Sequence, residues 1–287
     1  MRLLRPVEIA IKEIPWIVSR PLARLFNPEA AQFYADLAAN GYEAENLLKA
    51  LPRHHLIYVT VPKSASTRVR RTLAQIDGRH SRSFKPSGRA RFRGPYGPRN
   101  ITIGSFYRLA KDPATLRFSF VRNPYARAVS CWRDKFADKP LARGDAFIND
   151  YLANRQDIDS NLPVGPDRTL SFADFSIYAA AIAQARQNVH LQAQDDILNI
   201  PGLPLDFIGK VETFNADFAR VLDHLRASEA LRRDAAIPLN ESHHDDWPTY
   251  YTPELADRIY RAYERDFDRF GYHRAIDDRV ASFAACG

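Results

Sequence analysis

Cysteine is nearly absent: Cys131 and Cys286 are the only two in 287 residues. They lie far apart in the chain, which argues against a disulfide framework or a cysteine metal cluster and fits a reducing cytoplasm. Long apolar runs are lacking too. Residues 1–20 are interrupted by Arg5, Glu8, Lys12, Glu13 and Pro15, so no stretch approaches the ~18 residues of a membrane span. Nor is there an h-region with a small-residue cleavage site. A short amphipathic helix is expected there. Its mixed charges favour packing over a membrane-surface role, with peripheral membrane contact as the alternative. Histidine motifs of the HExxH kind, internal repeats and low-complexity tracts are also missing, so a metal site is not expected. Acidic residues are missing from one segment, 79–99, which carries Arg79, Arg82, Lys85, Arg89, Arg91, Arg93 and Arg99. Those seven positive charges equal the whole net charge of +7, so the rest of the chain is balanced.

What is present is an ordinary globular composition, 45% apolar and 26% charged, long enough for a full core. Residues 28–50 read as one or two short helices broken at Asn40-Gly41. Leu56 to Val61 reads as a buried strand, followed by a Pro-Lys-Ser turn and a helix with Val69, Leu73 and Ile76 on one face. Residues 79–99 hold several Gly and Pro and read as a loop. A short strand is expected at 101–104 and a strong one at 116–121. Asn123 then caps a helix with Pro124 in its first position and Tyr125, Val129, Trp132 and Phe136 on one face. Helices are expected at 145–153 and 171–187, a strand at 205–209, and a helix carrying Phe214, Phe218 and Leu225. A last long helix runs from Thr252-Pro253 to Phe270, ended by Gly271. Strands alternating with helices predict an α/β fold with a central, mostly parallel sheet covered by helices on both faces.

Two strand–turn–helix units carry the chemistry. In the first, Lys63 stands at the strand tip beside a helix N-terminus, with Ser64, Ser66 and Thr67 adding hydroxyl donors: an anion cradle. The turn has the logic of a P-loop without its glycines, and no acidic strand end reads as a magnesium holder, which disfavours ATP and Mg²⁺ chemistry. In the second, Arg122 ends a buried strand where ligands bind in open α/β sheets, and Ser130 lies two turns into the next helix. Pairing of Arg122 with a carboxylate such as Asp134 is the plain alternative. Arg127, Arg133 and Lys135 are expected to form a solvated helix face. Two cradles suggest one ligand with two separated phosphate groups.

Val61-Pro62-Lys63-Ser64-Ala65-Ser66-Thr67 resembles the 5′-phosphosulfate loop of sulfotransferases. The run from Phe120 to Ser130 resembles their 3′-phosphate motif, with Arg122 and Ser130 at the expected spacing. The similarity extends through Asp206-Phe207-Ile208-Gly209-Lys210-Val211-Glu212 and from Tyr263 to Tyr272, and points to the carbohydrate branch. It implies a P-loop-like sulfotransferase fold over 51–275. Residues 1–50 are then an N-terminal helical extension, 79–99 a basic flexible insertion and 276–287 a tail. It also implies the donor 3′-phosphoadenosine 5′-phosphosulfate (PAPS), no metal, and a hydroxyl or amine acceptor on a carbohydrate or glycoconjugate. Pro62, Lys63, Ser64, Ala65, Ser66, Thr67 and Arg68 would surround the 5′ end, and Arg122 and Ser130 the 3′-phosphate. Lys63 would face the leaving oxygen.

For the general base, relatives carry a His-Trp pair where this chain has His190-Leu191; others carry a histidine after a glycine, where Gly104 is followed by Ser105. His190 is the candidate, with Glu212 second. His243 and His244 could line an acceptor cleft, although a solvated loop is the plainer reading. The basic segment, with Phe84, Phe92 and Tyr96 interleaved, suits attraction of an anionic acceptor or, less well, single-stranded nucleic acid. Secretory-pathway members carry a membrane anchor and more cysteines, so a bacterial-type cytoplasmic enzyme is expected. The competing readings are a P-loop-type nucleotide or small-molecule kinase and a non-enzymatic anion- or nucleic-acid-binding protein.

Overall fold

The computed structural model describes residues 27–39, 47–77, 103–137, 141, 146–165, 169–185, 188–237 and 244–276. The expectations placed on 1–20, 79–99, His243 and the C-terminal tail from 277 lie outside them. In chain order the elements are α1 (Pro28–Ala39), β1 (Leu48–Leu51), β2 (Leu56–Val59), α2 (Ser66–Ile76), α3 (Ile103–Lys111), β3 (Leu116–Val121) and α4 (Pro124–Lys135). They continue with α5 (Ala146–Ile158), α6 (Phe172–Ala185), α7 (Gln194–Leu198), β4 (Phe207–Lys210), α8 (Phe214–His224), α9 (Glu229–Ala236) and α10 (Pro253–Phe270). Among the described helices none is long and apolar enough to cross a membrane. The described residues within Met1–Val121 and Leu198–Leu239 gather into one compact unit, and those within Arg122–Ile197 and Asn240–Gly287 into another.

The first unit holds the sheet, in the order β1-β2-β3-β4. β2, β3 and β4 are parallel, and β1 is an antiparallel edge strand with Leu48 opposite Val59. Leu48–Leu51 was expected to continue a helical stretch; pairing with β2 makes it a strand instead. Residues 103–111 likewise form a helix, not the end of a strand, because Phe106, Leu109 and Ala110 bury at helical spacing.

Both faces of the sheet are buried: Leu56, Tyr58, Phe118 and Phe120 on one, Ile57, Val59, Ser119 and Val121 on the other, all fully inaccessible. That is why β2 reads as an unbroken apolar run and not an alternating one. On the first face Tyr58 stacks on Phe118 at 5.0 Å, and Phe120 meets Phe214 at 4.8 Å and Phe218 at 5.9 Å. Val69 and Leu73 of α2, Val221 and Leu222 of α8 and Ala235 of α9 complete this core. The polar Ser119 is accommodated because its hydroxyl donates to the Val59 carbonyl at 2.7 Å.

The second unit is helical. Its core joins Tyr125 and Val129 of α4 and Phe136, which caps its end, to Tyr151, Phe175, Tyr178, Ile259, Tyr263 and Phe267. Tyr125 is the hub: its ring lies 4.8 Å from Phe267, 5.0 Å from Tyr251 and 5.9 Å from Trp247. The ends of α10 follow the sequence expectation, with Thr252 accepting from the Leu255 N–H and Gly271 closing the helix at φ +63°.

Candidate active site

The first cradle grows out of β2. Beyond Val59 the chain stays buried through Thr60 and Val61, then turns at Pro62 and Lys63. Lys63 and Ala65 both adopt left-handed backbone, φ +68° and +54°. For residues with a Cβ this costs on the order of 1–2 kcal/mol each, so the surrounding structure must hold them there. The Ser64 N–H between them donates to the Val61 carbonyl at 3.3 Å and closes the turn, and left-handed residues in a tight turn of this kind favour an anion-binding concavity. Ala65 is the residue capping α2, and it brings no side-chain acceptor. The N–H groups of Ser66 and Thr67 therefore open the helix at its positive end. Ser64 is fully buried, and the Lys63 side chain is half-buried beside it.

Arg68 plays a different part from its neighbours. Its Nε donates to the Ala235 carbonyl at 2.7 Å, its guanidinium donates to Asn215 Oδ1 at 2.6 Å, and it lies 4.1 Å over the Phe214 ring. Its side chain ties α2 to α8 and α9 and holds the start of the helix in place. One turn and two turns on, Arg71 and Gln75 reach the two carboxylate oxygens of Asp234, at 3.1 and 2.7 Å.

The second cradle begins where β3 runs into Arg122, which is 7% exposed. Asn123 caps α4 through its Oδ1, which accepts from the Tyr125 N–H at 2.9 Å, and Pro124 occupies the first turn. Ser130 is half-buried on the same helix. Asp134, the carboxylate considered for Arg122, makes an ion pair with Lys135 at 3.1 Å.

The expected solvated face of α4 is corrected. Arg127 is 3% exposed and donates to the carbonyls of Gln192, His190 and Val189 at 2.9, 3.2 and 3.4 Å. Arg133 donates to both oxygens of Asp246 and to the Tyr250 hydroxyl, with its guanidinium over the Tyr250 ring. These arginines pin the 188–192 turn and the 3-10 turn His244–Tyr250, of which His244 is the first residue.

His190 thus sits in a turn held by Arg127. Its N–H donates to Asn188 Oδ1 at 3.0 Å, and its ring meets Phe147 edge-on at 5.6 Å. Glu212 is exposed in the 3-10 turn after β4, within the sheet unit, whereas His190 belongs to the helical one.

Gln194 lies outside every motif of the sequence, and Asp266 lies within the family-like run from Tyr263 to Tyr272 with no role assigned to it; both are fully buried. Gln194 bonds both peptide groups of Arg122, and Asp266 bonds the N–H groups of Gln194 and Asp195. The signal was a carboxylate inside the apolar stripe of α10, flanked by Tyr263, Phe267 and Phe270. Burial raises the Asp266 carboxyl above the usual carboxylate range, against the pull of the nearby Arg127 charge and the N–H groups of Asp195 and Gln194.

Comparison with known proteins agrees with the motif reading. Carbohydrate sulfotransferase 12 from Mus musculus is 26% identical over 264 residues, covering 80% of this chain and 61% of that protein. Carbohydrate sulfotransferase 11 from Danio rerio is 25% identical over 233 residues, covering 76% and 65%. The chain therefore spans less than two thirds of the length of these relatives. They are animal proteins and lend no support to the bacterial-type expectation, and neither they nor the family favour the kinase or nucleic-acid readings. No solved structure matches the chain. The model of the sulfotransferase family matches residues 48–273, which takes in the sheet, both cradles and α10, and the chain belongs to that family.

Proposed function

We propose that the protein transfers a sulfuryl group from PAPS to a hydroxyl or amine of a carbohydrate acceptor. The observation that carries this is the left-handed pair Lys63 and Ala65 at the head of α2, a strained turn whose donors suit a phosphosulfate. The names of the relatives, both carbohydrate sulfotransferases, support the acceptor class.

In this reading PAPS supplies the sulfuryl group, which moves in line from a phosphate oxygen to the acceptor. Pro62 to Arg68 enclose the 5′ end through the backbone N–H groups of the turn and the hydroxyls of Ser64, Ser66 and Thr67. The Lys63 ammonium neutralises charge on the leaving oxygen, a stabilisation that needs no metal. Arg122 and Ser130 hold the 3′-phosphate by charge-assisted and hydroxyl hydrogen bonds. His190 takes the acceptor proton. The arginines of 79–99 attract an acidic glycan.

The test is transfer from labelled PAPS to a panel of glycans, lipids and small alcohols, with and without chelator. Lys63→Ala is expected to lower kcat by about 10²–10³-fold, the usual effect of removing one charge-stabilising donor. Arg122→Ala is expected to raise the KM for PAPS by roughly tenfold or more, the loss of a charge-assisted bond. Full activity in both variants, or loss of activity on chelation, would sink the mechanism.

A further inference from the structure

We propose that Gln194 and Asp266 are positioning residues that set Arg122 for the 3′-phosphate. This rests on the PAPS reading above and extends it to two residues without a role in the motifs. Val121 is the last residue of β3 and is paired with Lys210 of β4. One residue on, the buried peptide of Arg122 has run off the ladder, and its N–H and C=O need partners. Gln194 supplies both. Its Oε1 accepts from the Arg122 N–H at 2.9 Å, and its Nε2 donates to the Arg122 carbonyl at 2.8 Å. Two bonds to one residue copy the pairing of a neighbouring strand, and a carboxamide suits this because it carries a neutral donor and an acceptor on two separate atoms of one planar group, as a peptide does.

The amide is itself fixed. Asp266 accepts from the N–H of Gln194 at 2.9 Å through one oxygen and from that of Asp195 at 2.7 Å through the other. Both N–H groups belong to the first turn of α7, so a carboxylate on α10 decides where α7 starts and where Gln194 points. Gln194 and Asp266 are each fully inaccessible. Burying a long polar side chain and a carboxylate is unfavourable, and apolar residues of similar volume would pack the same space. What the polar pair adds is a fixed Arg122 backbone, hence a fixed origin for the guanidinium.

Calorimetric binding of two ligands separates this role from plain stability: 3′-phosphoadenosine 5′-phosphate, and adenosine 5′-phosphate, which lacks the 3′-phosphate. For Gln194→Ala the first ligand is expected to weaken about tenfold, one or two neutral hydrogen bonds' worth, while the second changes less than about twofold. In an Arg122→Ala background, Gln194→Ala is expected to add less than about twofold to the loss, the non-additivity of groups acting through one another. Gln194→Glu keeps the acceptor and loses the donor, and Asp266→Asn keeps the shape; both are expected to shift the first ligand alone and serve if Gln194→Ala does not fold. Equal weakening of both ligands, or additive losses, overturns the positioning role while PAPS binding stands. Failure of the unaltered protein to bind 3′-phosphoadenosine 5′-phosphate overturns the PAPS reading and the positioning role with it.

Discussion

A Cβ added at Gly209 would stand 2.5 Å from a ring carbon of Phe120. Phe120 is fully buried and packed among Phe207, Phe214 and Phe218, so the ring has nowhere to go. Gly209→Ala is therefore expected to destabilise the protein by about 1–3 kcal/mol, the range for overpacking a filled core, read as a lower urea midpoint at unchanged slope. In the sequence Gly209 is one residue of a family-like run; why it must be glycine follows only from the register that sets it opposite Phe120. Arg127 shows the same limit from the other side. In the sequence it is one more charge on a helix, and helix charges are usually solvated. Its acceptors lie more than sixty residues onward in the chain, at Val189, His190 and Gln192, and no local pattern can see that far. Lys63, by contrast, was legible because strand, turn and helix are contiguous, so the cradle is written in one short run.

At the scale of elements, legibility followed length and caps. α10 was readable throughout because eighteen residues repeat its apolar face between a Thr-Pro start and a glycine stop. β1 has four residues, Leu-Lys-Ala-Leu, whose own propensity favours helix; the antiparallel partner decided the matter. α3 was obscured by Ile101-Thr102-Ile103, a β-branched run at its head. α9 carries no motif in the sequence, yet it fastens the helix that carries the first cradle. Its Asp234 takes Arg71 and Gln75 of α2, and its Ala235 carbonyl takes Arg68. Asp234→Ala is expected to cost about 1–2 kcal/mol, since two partly buried partners lose their acceptor. The Ser228 cap, which accepts from the Leu231 N–H, stays intact, so α9 itself persists. Helical circular dichroism should hardly change while the urea midpoint falls.

Over the whole molecule, the buried tyrosines give stability a definite dependence on alkaline pH. Burial pushes Tyr125 and Tyr151 up to about 12 and raises Tyr58, Tyr178, Tyr251 and Tyr263 further. In the unfolded chain a tyrosine ionises near pH ~10. Below that value both states keep the proton and the tyrosines impose no pH dependence. Between about 10 and 12 the unfolded chain releases protons that the native state retains, so stability falls as pH rises, by roughly 1.4 kcal/mol per pH unit for each such tyrosine. Tyr251 isolates one contribution. It is held up by burial and by its neighbours Tyr125 and Tyr263, and its hydroxyl donates to the Tyr125 carbonyl at 2.9 Å. Tyr251→Phe is expected to cost about 1 kcal/mol near neutral pH through the lost hydrogen bond. It should also make the alkaline decline shallower by about 1.4 kcal/mol per pH unit. Urea unfolding at a series of pH values, with tyrosinate absorbance as the second probe, measures both effects. An unchanged slope in the variant would mean that the Tyr251 hydroxyl is already ionisable in the native state.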